Sequence, residues 1–153
     1  MIGQIVFQLG KAFFKSKKEI NTFIETQSLK SIVAFLNSKG GTLVIGVNEK
    51  DNQKKLIGIE NDDFVSQDQY IRDICQRIIN RIGKEFLSNY LDINIETIEG
   101  KMICFIKCQP YIPKENQIPA FLDDKLYIRT GPRTDEISPG KEVARFISER
   151  ILK

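Results

Sequence analysis

The sequence of 153 residues contains no histidine and only three cysteines. Without histidine, it lacks the commonest general base, any Ser-His-Asp or Cys-His catalytic arrangement and any zinc site with an imidazole ligand. The cysteines, Cys75, Cys104 and Cys108, are odd in number and lie in apolar segments. They therefore predict free thiols and argue against a disulfide framework.

Long apolar runs are missing as well. No stretch approaches the roughly 18–20 apolar residues that cross a membrane. The basic residues of positions 1–18 follow the apolar ones, which is the reverse of a secretory signal. Apolar residues make up 41% of the chain and charged residues 28%, as in ordinary globular proteins. We therefore expect a cytoplasmic protein, without membrane partners, that forms one domain.

Positive charge is concentrated at the start of the chain, although the net charge is only +3. Positions 1–18 contain no acidic residue and four lysines: Lys11, Lys15, Lys17 and Lys18. Together with Phe13 and Phe14, these lysines suit a nucleic acid, because ammonium groups contact phosphates and rings stack on bases. The alternative is a solvated helix face with both rings in the core.

The stretch from residue 31 to residue 59 organises the rest of the chain. Apolar residues at helical spacing predict a helix over residues 20–36, with a break near Thr26 or Ser28. Gly40-Gly41 should end it, because glycine adopts the positive φ of a helix C-terminus. Residues 42–47 are almost entirely apolar and predict a strand that is covered on both faces. Residues 56–59 should return as its antiparallel partner.

The remaining segments predict further helices and hairpins. Residues 70–82 form an amphipathic helix, and residues 91–98 and 102–109 form a hairpin. A second hairpin is expected between residues 120–122 and 125–129, and a last helix should begin at Ser138-Pro139. The predicted class is α/β (α+β): a single domain with a mixed or antiparallel sheet and about three helices. A basic segment, 1–27, should belong to the same domain as residues 28–153.

Two groups of residues could bind phosphate. Gly40, Gly41 and Gly46 lie at a helix-to-strand junction, the reverse of a phosphate loop, so a turn is the better interpretation. Arg129 and Arg133 flank Gly131, and two guanidinium groups on a tight loop can hold phosphate oxygens. The acidic residues that follow favour instead a network within the loop.

Two motifs then indicate a family. Residues 29–47, LKSIVAFLNSKGGTLVIGV, resemble the A-F-x-N-x-x-G-G-x-L-x-I-G-V signature of the Schlafen-type Alba-like domain. Residues 127–134, YIRTGPRT, match its aromatic-x-Arg-x-Gly-x-x-Thr element. The resemblance covers residues 28–150. It implies a mixed α/β sheet and binding of nucleic acid, DNA or RNA. In some members it implies RNA cleavage by three carboxylates that hold a divalent metal.

The three carboxylate positions depart from that pattern. Alignment on Phe14-Lys15 places Gln8 and Phe13 at the first two, and Asn48 falls at the third. Cleavage needs carboxylates to hold the metal ion against the scissile phosphate, so we expect neither catalysis nor a metal or other cofactor. The alternative is a metal-dependent ribonuclease that uses substitute acids, drawn from Glu19, Glu25, Glu49 and Asp51.

The sequence thus predicts a non-catalytic nucleic-acid-binding domain. The predicted phosphate contacts are Lys11, Lys15, Lys17, Lys18, Lys39, Arg129 and Arg133. A further alternative is a protein-interaction or dimerisation module of a regulatory or defence system, since related domains suggest a homodimer or pseudo-dimer.

Overall fold

The computed structural model describes residues 4–8, 17–50, 53–59, 66–137, 145–147 and 149. Within these ranges, only the backbone is described for residues 4–8, 17–24, 49 and 50. The helices and strands are β1 (Gln4–Gln8), α1 (Lys17–Leu36), β2 (Gly41–Ile45), β3 (Val47–Lys50), β4 (Gln53–Leu56), α2 (Gln67–Arg81), a 3-10 turn (Lys84–Phe86), α3 (Leu87–Tyr90), β5 (Leu91–Ile98), β6 (Lys101–Cys108), β7 (Tyr127–Thr130) and β8 (Arg133–Glu136).

The main sheet has four strands in the order β1-β2-β6-β5. β1 runs parallel to β2, and the other two pairs are antiparallel. Three α-helices occur in the described part of the chain, together with three antiparallel hairpins. The predicted α+β class with a mixed sheet is therefore confirmed.

The strand predicted at residues 42–47 is confirmed over residues 42–45 as the central strand β2, whereas Val47 begins β3. Leu43, Val44 and Ile45 are buried, and the opposite face of the sheet is covered near Val47 and Ile103. A strand that is hydrogen-bonded on both edges and covered on both faces must be apolar at successive positions. This environment explains the continuous apolar run.

The predicted partner of this strand was wrong. Both edges of β2 are occupied, by β1 and by β6, so residues 53–56 pair with β3 instead. Gly46 separates β2 from β3 with φ at +109°, and its carbonyl accepts hydrogen bonds from Ile57 and Gly58, both at 2.8 Å. Beyond the end of β2, the Ile59 N–H donates to Met102 O at 2.9 Å and so continues the pairing along β6.

The predicted break in the first helix was also wrong, since α1 is continuous from Lys17 to Leu36. Ser28 is buried within it, and the Ser31 hydroxyl donates to Gln27 O at 3.1 Å, four residues earlier. Such a bond satisfies Ser31 without interrupting the helix, whereas the buried Ser28 hydroxyl has no described hydrogen-bond partner. Packing of the following apolar turns against the sheet overrides the weak local preference against helix.

The second helix and the first hairpin are confirmed. The hydroxyl of Ser66 caps α2 by accepting the Gln69 N–H at 3.1 Å, and Ile78 is the buried centre of its apolar face. β5 and β6 are joined by Glu99 and Gly100, both with positive φ. Such a two-residue turn matches the natural twist of antiparallel strands.

The second predicted hairpin is reduced to a single bridge between Leu122 and Lys125. The strands pair further along, where β7 and β8 flank the turn at Gly131-Pro132. Most of the predicted last helix, including Ser138-Pro139, lies outside the described residues. Residues 145–147 are helical, and the second and third of them are half-buried.

Candidate nucleic-acid interface

The C-terminal end of α1 is fastened to the β7–β8 hairpin by a buried asparagine. Asn37 is only 2% exposed, and its Nδ2 donates to Ala120 O at 2.8 Å and to Tyr127 O at 3.0 Å. Its Oδ1 accepts the Ala120 N–H at 3.0 Å. Next to it, the Ser38 hydroxyl accepts the Arg129 N–H at 2.9 Å. Two consecutive side chains thus fix where β7 begins.

The Gly-Gly turn is shaped by close contact with β6. Gly40 has φ at +77°, and a Cβ at this position would lie 2.6 Å from Cys108 O and 3.0 Å from Pro110 Cδ. Its N–H donates to Phe35 O at 3.0 Å, and Tyr111 N–H donates to Leu36 O at 2.7 Å. The carbonyl groups of the last two residues of α1 are therefore satisfied. The turn is structural, as predicted, and it presents Lys39 to solvent.

The structure separates the two arginines that the sequence suggested could act together. Arg129 pairs with Thr134 and Arg133 pairs with Thr130 across the hairpin. Directly opposite residues share a face, and faces alternate along each strand, so Arg129 and Arg133 lie on opposite faces. They do not form one two-armed phosphate clamp.

Arg129 is directed toward the protein. Its guanidinium carbon lies 5.4 Å from the centre of the Phe35 ring, and its Nη1 donates to the Thr134 hydroxyl at 2.9 Å. Burial lowers the pKa of Arg129, and Asp135 partly opposes that shift. An arginine remains charged under such a shift, so this side chain is a cation that braces β7 against α1.

Arg133 is directed toward solvent. Its side chain is 72% exposed, and its Nη2 lies 3.3 Å from Asp135 Oδ2 on the same face of the hairpin. Exposed ion pairs of this kind are weak, so the guanidinium group can exchange its partner for a phosphate or a base. Arg133 and Lys39 are the predicted contacts that the structure brings to one end of the domain with free access from solvent.

Of the four lysines predicted at the start of the chain, two lie at the opposite end of α1 and two lie outside the described residues. Lys17 and Lys18 form the first turn of α1, whereas Lys39 follows its last turn. A helix of 20 residues is about 30 Å long, so the two groups are separated by roughly that distance. Lys11 and Lys15 lie outside the described residues.

One further cation at this end was missed by sequence reasoning. Lys30 Nζ lies 5.5 Å from the centre of the Tyr127 ring, in a cation–π contact on the face of α1 that carries the hairpin. No spacing rule could pair residues this far apart in sequence. The role of Asn37 was missed as well, although an amide directly after an apolar helical stretch is a signal that a buried polar group needs distant partners.

Glu25, one of the substitute acids, is engaged in a separate ion-pair network. Its carboxylate lies 3.3 Å from Arg77 Nε and 3.5 Å from Arg81 Nη1. Arg81 Nη2 also lies 2.9 Å from Asp123 Oδ2, and this hydrogen bond is the largest cause of the raised pKa of Arg81. The network joins α1, α2 and the turn that precedes β7, so Glu25 has a structural role.

The other acidic residues with described side chains do not form a metal-binding group either. Among those residues, no three His, Cys, Asp or Glu side chains form a group that could hold a metal ion. Asn48, at the third carboxylate position, has a buried Oδ1 without a described hydrogen-bond partner. A neutral amide is less costly to bury than a carboxylate. The side chains of Glu19 and Glu49 are not described, and Asp51 lies outside the described residues.

None of the helices in the described ranges is both long enough and apolar enough to cross a lipid bilayer.

The fold and the site define an α+β domain in which a buried asparagine joins a helix end, a Gly-Gly turn and an arginine-bearing hairpin. The chain belongs to the Schlafen, AlbA_2 family, which matches residues 11–138. This match contains both motifs from which the resemblance was inferred, and it confirms the family.

One solved structure is similar in fold, and a second gives a weaker superposition. The DIP2311 protein from Corynebacterium diphtheriae superposes with a TM-score of 0.60 at 16% identity, over 97% of this chain and 24% of that one. The chain therefore spans about a quarter of the length of that protein. The N-terminal domain of a RecG-related protein from Nitrosomonas europaea gives a TM-score of 0.45 at 16% identity, over 76% of this chain and 78% of that domain. No curated protein matches the chain.

Proposed function

We propose that this chain is a non-catalytic nucleic-acid-binding domain that holds phosphate groups with basic side chains. The observation that carries the proposal is the exposure of Lys39 and Arg133 on two elements that Asn37 and Ser38 fix together. Cations held on rigid elements lose little conformational freedom on binding, which favours affinity. Membership of the Schlafen, AlbA_2 family supports a role with nucleic acid.

The lysines at the start of the chain extend this surface in the proposal. Lys17 and Lys18 would add phosphate contacts at the far end of α1, and Lys11 and Lys15, which lie outside the described residues, would add further contacts as part of the same domain. Phosphate contacts position a protein on the nucleic acid without reading its sequence, so this part of the surface confers modest selectivity. A cytoplasmic location and a homodimer belong to the proposal as well, the latter testable by the molar mass in solution.

The test is fluorescence anisotropy with labelled single- and double-stranded DNA and RNA over a series of salt concentrations. Binding should weaken linearly in log K against log salt, with a slope of about 0.7–0.9 per phosphate contact. Replacing the four N-terminal lysines together with alanine should flatten the slope. Absence of binding to all four nucleic acids at low salt would overturn the proposal.

The ribonuclease alternative predicts a different result. Labelled RNA incubated with this protein and Mn²⁺ would be cleaved if Glu19 or Glu25 joined Glu49 or Asp51 in holding a metal. The ion pairs of Glu25 with two arginines make it a poor member of such a set. We therefore expect intact RNA. Cleavage that a Glu49→Gln variant abolishes would establish the alternative.

A further inference from the structure

The tip of the β7–β8 hairpin is exposed, projecting and basic, which suits insertion into a groove of a nucleic acid. Thr130, Gly131, Pro132 and Arg133 are all exposed. A Cβ added at Gly131 would have no heavy atom within 4 Å, so the tip projects into open space. It carries a cation and no acid, since the nearest acid on that face is Asp135, two residues from Arg133 along β8.

The base of the same hairpin is firmly held. Tyr127 O accepts from the side chain of Asn37, and the Arg129 N–H donates to the hydroxyl of Ser38. Arg129 lies against the Phe35 ring, and the Ile137 N–H donates to Leu126 O at 2.8 Å. A free tip on a fixed base is a preorganised arrangement for binding.

The β5–β6 hairpin tip is the other tip whose residues are all described, and it has a mixed, net negative charge. The β5–β6 turn also projects into open space at Gly100, but it carries Glu99 beside Lys101, and the exposed Glu96 lies nearby on β5, so its acids outnumber its cation. These acids disfavour approach to a phosphate backbone. Of the two hairpin tips that are fully described, electrostatics favours β7–β8 for approach to a phosphate backbone.

The dimensions of a two-stranded ribbon then favour one form of nucleic acid. Paired strands lie about 4.8 Å apart, and a ribbon with its side chains fits the major groove of B-form DNA, which is about 12 Å wide. The major groove of A-form RNA is too deep and narrow for side chains to read. Single strands are bound by rings presented for stacking, whereas Phe35 and Tyr127 here are covered by Arg129 and Lys30.

We infer that the β7–β8 tip enters the major groove of duplex DNA and that Arg133 contacts a guanine edge there. The inference rests on the proposed function and gives it a ligand class. Arginine binds the O6 and N7 acceptors of guanine with two parallel hydrogen bonds. Arg129 is a positioning residue on this view, because it braces the ribbon without facing the groove.

The experiment compares variants on a duplex DNA, on the duplex RNA of the same sequence and on one DNA strand. Arg133→Ala should weaken duplex DNA binding about tenfold or more, with a much smaller effect on the single strand. Asp135→Asn should strengthen duplex binding, because it removes the competing carboxylate. Lys101→Ala, which removes the same charge at the other hairpin tip, is the matched control and should change affinity less than about threefold.

A chemical substitution in the DNA tests the groove itself. Guanines replaced by 7-deazaguanine keep their pairing but lose the N7 acceptor of the major groove. The wild-type protein should bind this duplex several-fold more weakly, and Arg133→Ala should not distinguish it from ordinary DNA. Urea unfolding of each variant verifies that the fold is retained.

The outcomes separate this inference from the proposed function. Binding that is equally strong for duplex RNA, or insensitive to 7-deazaguanine, would overturn the inference and leave phosphate binding intact. An equal effect of Arg133→Ala and Lys101→Ala would do the same. Absence of binding to any nucleic acid would overturn both.

Discussion

The side chain of Asn37 and the backbone of Ala120 are hydrogen-bonded in both directions, with Nδ2 donating at 2.8 Å and Oδ1 accepting at 3.0 Å. A third bond joins Nδ2 to Tyr127 O. The residues lie 83 and 90 positions apart in sequence. One amide therefore holds the helix end, the loop before β7 and β7 itself in a fixed arrangement.

Asn37→Ala should destabilise the protein by about 3 kcal/mol, because it leaves buried polar groups of Ala120 and Tyr127 without partners. Urea unfolding measures the loss. Asn94→Ala, at an exposed position of β5, is the matched control and should change stability by less than about 0.5 kcal/mol. Equal effects of the two substitutions would show that the buried amide of Asn37 adds no more to the free energy of unfolding than an exposed one.

Gly40→Ala should be more costly than Gly100→Ala, although both glycines have φ near +78°. The conformational penalty of about 1–2 kcal/mol is common to both. Only at Gly40 does the new Cβ approach a backbone oxygen, that of Cys108 at 2.6 Å. β6 is hydrogen-bonded on both sides and cannot move away, so about 2 kcal/mol more should be lost. Similar unfolding free energies for the two variants would contradict the close approach.

The Arg81–Asp123 pair should be coupled more strongly than the Arg133–Asp135 pair. Arg81 is 26% exposed and binds Asp123 at 2.9 Å, whereas Arg133 is 72% exposed and its pair is longer, at 3.3 Å. Double-mutant cycles with alanine should give about 1 kcal/mol for the first pair and less than about 0.5 for the second. The ion pair of Arg81 with Glu25 is lost on both sides of the cycle, whether Asp123 is present or replaced, so its free energy cancels. A reversed order would contradict the structural role of Arg81.

Thiol reactivity should follow burial. Cys75 is half-buried, whereas Cys104 and Cys108 are buried in the core. Burial raises the pKa of the Cys104 thiol from 9.0 to about 12 and raises that of Cys108 further. Because the thiolate is the reactive form, a thiol reagent at pH 8 should modify Cys75 first in the folded protein. Peptide mapping identifies the site, and rapid modification of Cys104 in the native state would refute this order.

The same buried thiols should make stability depend on alkaline pH. The folded-state pKa of Cys104 lies above its unfolded value, so its contribution is fully present below pH 9 and is lost as pH rises toward about 12. The slope should be about 1.4 kcal/mol per pH unit for each buried thiol. Urea unfolding between pH 9 and pH 11, above the unfolded pKa and below the folded one, measures it, and Cys104→Ala should reduce the slope. An unchanged slope would show that the thiol does not contribute.

Much of this architecture follows from local sequence. The spacing of apolar residues in β5 and α2 indicates which side of each element is buried. Glu99-Gly100 marks the turn that joins β5 to β6. Hydrophobic periodicity and turn chemistry are local properties, and neighbouring residues determine them. The two motifs that identified the family also lie in short, contiguous segments.

The choice of partners was decided by the tertiary structure. β4 pairs with β3 and not with β2, because β1 and β6 already occupy both edges of the central strand. The absence of a break in α1 has a similar origin, since packing of its apolar turns outweighs the local preferences of Thr26 and Ser28.

The candidate interface also combines features that follow from local sequence with features that only the tertiary structure decided. The sequence determined that Lys39, Arg129 and Arg133 accompany tight turns, and chain spacing suggested that the two arginines act together. The register of β7 and β8 places them on opposite faces, one against Phe35 and one in solvent. Register depends on hydrogen bonds between strands and on where Asn37 and Ser38 fasten β7. Contacts across 80 or more residues form only when the core has closed, and no local pattern records them.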